Sequence, residues 1–192
     1  NVSHSHFRDL GNHFSNYDWD IRNGAHMTIE NNTFSRFNYL FASTPKIRSG
    51  STLTINNNII EDMWNYFLYN LYLYEDTSGD YAGEDSKFII TNNDVSGSNP
   101  KIYYLYDYTN ANEPGEYNVI FQGNSFTSTS SNVEWILYAN SSVSSGSLLM
   151  ADNTFDKIKI TIRYNNQAHI TGNTMENCGN SEQLYLHNSN AV

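Results

Sequence analysis

Aromatic residues return at one recurring place in this chain, beside a leucine or isoleucine, in the segments "YLFA", "FLYN", "YLYD", "ILYA" and "YLHN". One step to either side of that aliphatic position stand Tyr39 and Phe41, Phe67 and Tyr69, Tyr104 and Tyr106, Tyr138, and Tyr185. If the aliphatic residues face a core, these rings face outward. Flat rings with hydroxyl tips stack on sugar faces or on a protein surface. The same pattern also describes a self-supporting ladder, because rings in register on adjacent strands stabilise each other by roughly 0.2–1 kcal/mol per pair. Ladder, protein contact and glycan contact are the three readings the residues leave open.

Carboxylates offer a second chemistry. Glu75, Asp76, Asp80, Glu84 and Asp85 crowd into "YEDTSGDYAGEDSK", and Asp107 ends one of the aromatic segments. Glycoside hydrolysis needs two carboxyls about 5–5.5 Å or about 6.5–9.5 Å apart on a rigid frame. A loop carrying Gly and Ser is poor at fixing either separation, so a solvated acidic loop is the expectation, with at most weak Ca²⁺ binding in the absence of EF-hand spacing. A lyase would want a base among such acids. Arg22 has Asp18 and Asp20 near it in sequence, and Arg163 has Asp156 beside Lys157; neither makes a convincing cluster. The histidines at positions 4, 6, 13, 26, 169 and 187 keep no metal-ligand spacing, and no pattern calls for a cofactor. No catalytic residue is assigned.

The frame that must carry these side chains is written in a repeat. "MTIENNTF" returns as "LTINNNII", "FIITNNDV", "VIFQGNSF", "LLMADNTF" and "AHITGNTM", aligned on Asn32, Asn58, Asn93, Asn124, Asn153 and Asn173, with a degenerate copy around Ser5. Self-similarity at spacings of 20 to 35 residues marks a solenoid with loops of unequal length. Three residues before the Asn, Val2, Ile29, Ile55, Ile90, Phe121, Met150 and Ile170 form an apolar column. Two residues after it, Phe7, Phe34, Ile60, Val95, Phe126, Phe155 and Met175 form another. A straight strand cannot turn both columns inward, so the chain must bend between them. The bend falls at His4, Asn31, Asn57, Asn92, Gly123, Asp152 and Gly172, where all but the first are types that enter the left-handed region cheaply.

A further apolar position follows at Leu10, Phe37, Met63, Ile158 and Cys178, so the lone cysteine reads as a small core residue. The aromatic segments supply a third strand per repeat, with Leu40, Leu68, Leu105, Leu137, Ile162 and Leu186 as its inward column, preceded by Ile21. Three strands and a left-handed corner per turn describe an all-β, parallel β-helix solenoid of about seven coils. At one strand spacing per coil it is a rod roughly 30 Å long. The stacked Asn column would bond corner backbone that is otherwise buried unpaired.

With these "I-x-N-N-x-F" units, the chain resembles the right-handed parallel β-helix, or pectin-lyase-like, superfamily over nearly its whole length. The resemblance implies the fold and a column of Asn stacked inside one corner. It is compatible with polysaccharide lyases and hydrolases, tailspikes, adhesins and surface proteins alike. In polysaccharide-active members the outside of one sheet forms the sugar cleft.

Composition narrows the choice. Twenty acidic residues against ten basic ones give a net charge of -10, which repels phosphate backbones and sets nucleic acid aside. No apolar run approaches the ~18 residues of a membrane helix. Asn supplies 29 of 192 residues, and three glycosylation sequons occur, at Asn1, Asn31 and Asn140. The absence of a capping helix or strand-blocking proline at either end leads to the expectation of one domain over 1–192, as a segment of a longer solenoid or a subunit that stacks end to end. The functional expectation is a non-enzymatic extracellular or cell-surface segment, adhesive or filament-forming. It would bind protein partners, other copies or a polysaccharide through the aromatic stripe. The alternative is a polysaccharide lyase or glycoside hydrolase with its cleft on the same stripe.

Overall fold

The computed structural model describes residues 1–8, 19–41, 45–75, 85–109, 115–130, 133–139, 146–165, 167–178 and 183–187, without the side chains of 138 and 139. Its strands form three sheets of seven strands each. Every strand pairing among the described residues is parallel and joins a strand to its counterpart one repeat away, for example Ile29 to Ile55, Ile55 to Ile90 and Ile90 to Phe121. The architecture is a parallel β-helix of seven coils with three strands per coil.

The predicted corner is present in all seven coils. His4, Asn31, Asn57, Asn92 and Asp152 have φ between 53° and 56°, and Gly123 and Gly172 have φ of 66° and 64°. Beside it runs the Asn ladder. The Asn32 backbone N–H donates to Asn58 Oδ1, Asn58 to Asn93, Asn93 to Asn124, Asn124 to Asn153 and Asn153 to Asn173, each at 3.0 Å. Each Asn Nδ2 also donates to a strand carbonyl of the coil before it, as Asn93 does to Ile55 at 2.9 Å. Buried corner groups are thereby paired from within the rod.

The two apolar columns line the interior as the repeat dictates. Phe34, Ile60, Val95, Phe126 and Phe155 are fully buried, and stacked rings join Phe7 to Phe34 and Phe126 to Phe155. Cys178 is buried too, its Sγ donating to the Ile158 and Glu176 carbonyls at 3.1 and 3.0 Å.

A second left-handed corner follows the second sheet, and the sequence hid it. Arg36, Asp62, Lys157 and Asn177 have φ between 51° and 59°. Arg and Lys are not residues that announce such a bend, and only Asp62 and Asn177 are of a type that does. The fourth coil omits the extra residue: the pairing of Val95–Gly97 with Ile60–Met63 shifts register. A Cβ built on Gly97 would lie 2.2 Å from the Met63 carbonyl oxygen, so only glycine lets this shortcut pass.

The third sheet departs from expectation in register. Leu105 pairs with Leu71, not with Leu68, which pairs with Ile102 and Phe41 instead. Ile21 stands with Ile47 and Leu73, not with Leu40. The segment "YFLYNLYLY" offers Leu at 68, 71 and 73, and the pairing sets Leu71, three residues beyond Leu68, beside Leu105.

Candidate functional site: a tyrosine face on the third sheet

The nine-residue strand Tyr66–Tyr74 and the eight-residue strand Lys101–Tyr108 are the longest among the described residues. Their alternation turns Leu71, Leu73 and Leu105 inward and Tyr72, Tyr74, Tyr106 and Tyr108 outward. In-register pairing then sets the rings in contact. Tyr72 and Tyr106 stack at 4.7 Å and 10°, and Tyr74 and Tyr108 at 5.5 Å and 20°. Along each strand, Tyr72–Tyr74 and Tyr106–Tyr108 are parallel within 5° at 5.9 and 6.0 Å. The four rings make one slab of parallel, mutually stacked rings.

A second cluster lies toward the start of the same strands. Tyr69 stacks on Tyr103 at 5.4 Å and 7°, Tyr66 touches both, and Tyr39 stacks on Tyr66 at 5.7 Å. Tyr104 joins the clusters, edge-on to Tyr103 and stacked with Tyr106 at 5.3 Å. Lys101 Nζ sits 4.9 Å over the Tyr103 ring, a cation–π contact. Burial pushes the Tyr66 and Tyr74 phenols above their ordinary range, so both remain neutral hydroxyls at physiological pH.

Of the residues expected on this face, Tyr39, Tyr69, Tyr104 and Tyr106 are brought together. Tyr138 holds the next backbone position after Tyr106. Tyr185 is 43% exposed on the last coil, paired with Thr161 and apart from the main array. Phe41 and Phe67 are corrected: both are fully buried. At the start of the third strand two successive residues turn inward, Leu40 with Phe41 and Phe67 with Leu68, because the chain is still rounding a corner. Phe67 fills that corner edge-on against Phe126 at 5.8 Å, and Phe41 lies edge-on to Trp19. Tyr66, Tyr72, Tyr74, Tyr103 and Tyr108 were missed. The period-two Tyr in "NLYLY" and "YLYDY" was the signal for three of them.

Cations frame the rings. The outward column through Tyr72 and Tyr106 also holds Asp20, Lys46, Arg163 and His187, with the Tyr138 backbone paired between Tyr106 and Arg163. Arg48 forks onto the Asp20 carboxylate and holds that group below the usual carboxylate range. Arg163 Nε is shielded from solvent with no hydrogen-bond partner among the described residues, as is Asn70 Oδ1.

The expected acids fall elsewhere. Asp107 does not reach the surface; it is 2% exposed and points into the rod. Its Oδ1 accepts from the Thr109 backbone N–H at 3.1 Å and hydroxyl at 2.5 Å, and its Oδ2 from the Ser147 N–H at 3.3 Å. Burial nevertheless raises it to about 6. Glu75 and Asp85 are also raised, each chiefly by burial, and Asp85 bonds the Asn118 side chain. Asp76, Asp80 and Glu84 lie outside the described residues, as do Asp18, His13 and Asn140. Among the other sequons, Asn1 donates to Glu30 at 3.1 Å, and Asn31 occupies a corner and accepts from Asn57 at 2.6 Å. Among the described residues no group of three His, Cys, Asp or Glu is placed to hold a metal ion, and no helix is long and apolar enough to cross a membrane. Comparison with family models, curated proteins and solved structures returns no match.

Proposed function

We propose that this protein is a non-enzymatic extracellular β-helix segment of adhesive or filament-forming type, whose contact surface is the tyrosine face of the third sheet. The supporting observation is the slab of Tyr72, Tyr74, Tyr106 and Tyr108, parallel within 20° on a rigid sheet. A stacked phenolic array on paired strands is preorganised, so little side-chain freedom is lost when a partner surface meets its ring edges and hydroxyls. The likeness to adhesins of the pectin-lyase-like superfamily belongs to this reading. Tyr72→Ser with Tyr106→Ser, placed together, should weaken binding to a polysaccharide or protein partner at least tenfold in a titration. Undiminished binding would reduce the slab to a self-stacking ladder.

The rival reading, a polysaccharide lyase or hydrolase, draws on Glu75 and Asp85, two carboxyls whose affinity for protons is raised chiefly by burial, with the charge of Asp85 adding to the shift at Glu75. Incubation with acidic and neutral polysaccharides separates the two. New reducing ends or unsaturated products, abolished by Glu75→Gln or Asp85→Asn, would replace the adhesive reading with the enzymatic one.

A further inference from the structure

The outward faces of the second and third sheets carry opposite charge. On the third sheet, among the described residues, the outward positions hold Arg22, Lys46, Arg48, Lys101, Lys159 and Arg163 against two carboxylates, Asp20 and Glu134. This concentrates six of the chain's ten basic residues on one side of a molecule of net charge -10. The second sheet is the reverse. Glu61, Asp62 and Asp94 are exposed on its third and fourth coils, and Asp156 and Glu176 follow on its sixth and seventh. Its cations are Arg8, Arg36 and Lys157, none of them on the third or fourth coil. In the same acidic stretch Ile59 is turned outward and 50% exposed, paired with Thr33 on one side and Asp94 on the other.

We propose that the tyrosine-and-cation face of one copy docks laterally on the acidic second-sheet face of another copy of the same chain. The proposal rests on reading the third sheet as the contact surface and commits its occupant. Both faces repeat at one strand spacing of about 4.8 Å, so columns on two rods lying side by side meet in step along their length. The cations of the third sheet then face the carboxylates of Glu61, Asp62 and Asp94, and Ile59 faces the phenol rings. The narrower second sheet limits the overlap to on the order of 500 Å² per partner, the small end of specific interfaces. Association is therefore weak and sensitive to salt. The contact is also heterologous: each copy uses one face and leaves its other free, so assemblies extend instead of closing as dimers.

Sedimentation velocity over a concentration series tests this. At low salt the weight-average mass should rise with concentration, and at ~1 M salt, where the screening length is about 3 Å, it should return to the monomer. Glu61→Lys with Asp94→Lys removes one face, and Tyr72→Ser with Tyr106→Ser removes the other. Each doubly substituted protein alone should stay monomeric, while an equimolar mixture should stop at a one-to-one dimer joined through the two intact faces. Circular dichroism of each confirms the strand content. A wild type that stays monomeric at low salt, or a mixture that does not pair, overturns the proposal. A monomer that still binds an acidic polysaccharide, and loses it with the tyrosine substitutions alone, keeps the contact surface and sinks the self-docking.

Discussion

Asp107 is a carboxyl where the third-sheet column otherwise places Ile47 and Leu73. Its three hydrogen bonds favour the charged form, yet enclosure wins and the group is raised to about 6, with the charge of Asp85 adding to the shift. The sign of the consequence follows from proton linkage. The folded protein holds this proton more tightly than the unfolded chain, whose value is 3.8, so the stabilisation is complete below pH 4 and is lost as pH rises through 6. The loss amounts to about 3 kcal/mol for a shift near two pH units. Urea unfolding between pH 4 and 7 should show it, and Asp107→Asn should flatten that slope. A wild-type slope that survives the substitution would place the titration elsewhere. Position 107 was visible in the sequence as an acid at a strand end, and its inward turn was legible in the step of two from inward Leu105. One residue of register decides whether a side chain meets water or core.

At the scale of the element, the corners separate what was legible from what was not. The first corner could be read because Asn, Gly and Asp signal a left-handed residue by type. The Asn ladder could be read because its side chain falls in step with two apolar columns. Arg36 and Lys157 adopt the same backbone conformation at the second corner without any such signature. The third strand was legible in kind and misplaced in register, since a run alternating Tyr and Leu fits its neighbour at more than one offset. Phe41 and Phe67 were misassigned for a related reason: strict alternation fails where the chain rounds a corner. Gly97 is the sharpest element-level test. Gly97→Ala forces a methyl group against the Met63 backbone, and the coils must part to admit it. A loss of about 1–3 kcal/mol in chemical denaturation is expected, as for other overpacked sites. An unchanged midpoint would mean that the fourth coil does not cut its corner as described.

For the whole molecule, stability is passed from coil to coil, because each one contacts chiefly its neighbours. The Asn ladder makes this measurable. Asn93 accepts from the backbone and side chain of Asn58 and donates to Ile55, Thr91 and Asn124. Asn93→Ala strands several buried groups at mid-rod and should cost about 3 kcal/mol. Asn173 lies in the last described ladder step, where its Nδ2 donates to Met150 and to the solvent-exposed Thr171 carbonyl. Water substitutes there, so Asn173→Ala should cost about 1 kcal/mol. Equal losses at the two sites, measured in one denaturant series, would mean the ladder contributes nothing specific to the interior.

The ladder amides share one orientation. In the chain of amide–amide bonds from Asn32 to Asn173 each Nδ2 donates one N–H to the Oδ1 of the later coil, and every Oδ1 looks back at the earlier one. Small dipoles so aligned give the rod a sense of direction, an arrow running along its axis. Rods lying side by side in the same sense set these arrows parallel and lateral neighbours repel slightly, whereas an antiparallel pair gains. The direction in which two copies lie against each other is therefore not free of the corner hidden inside them.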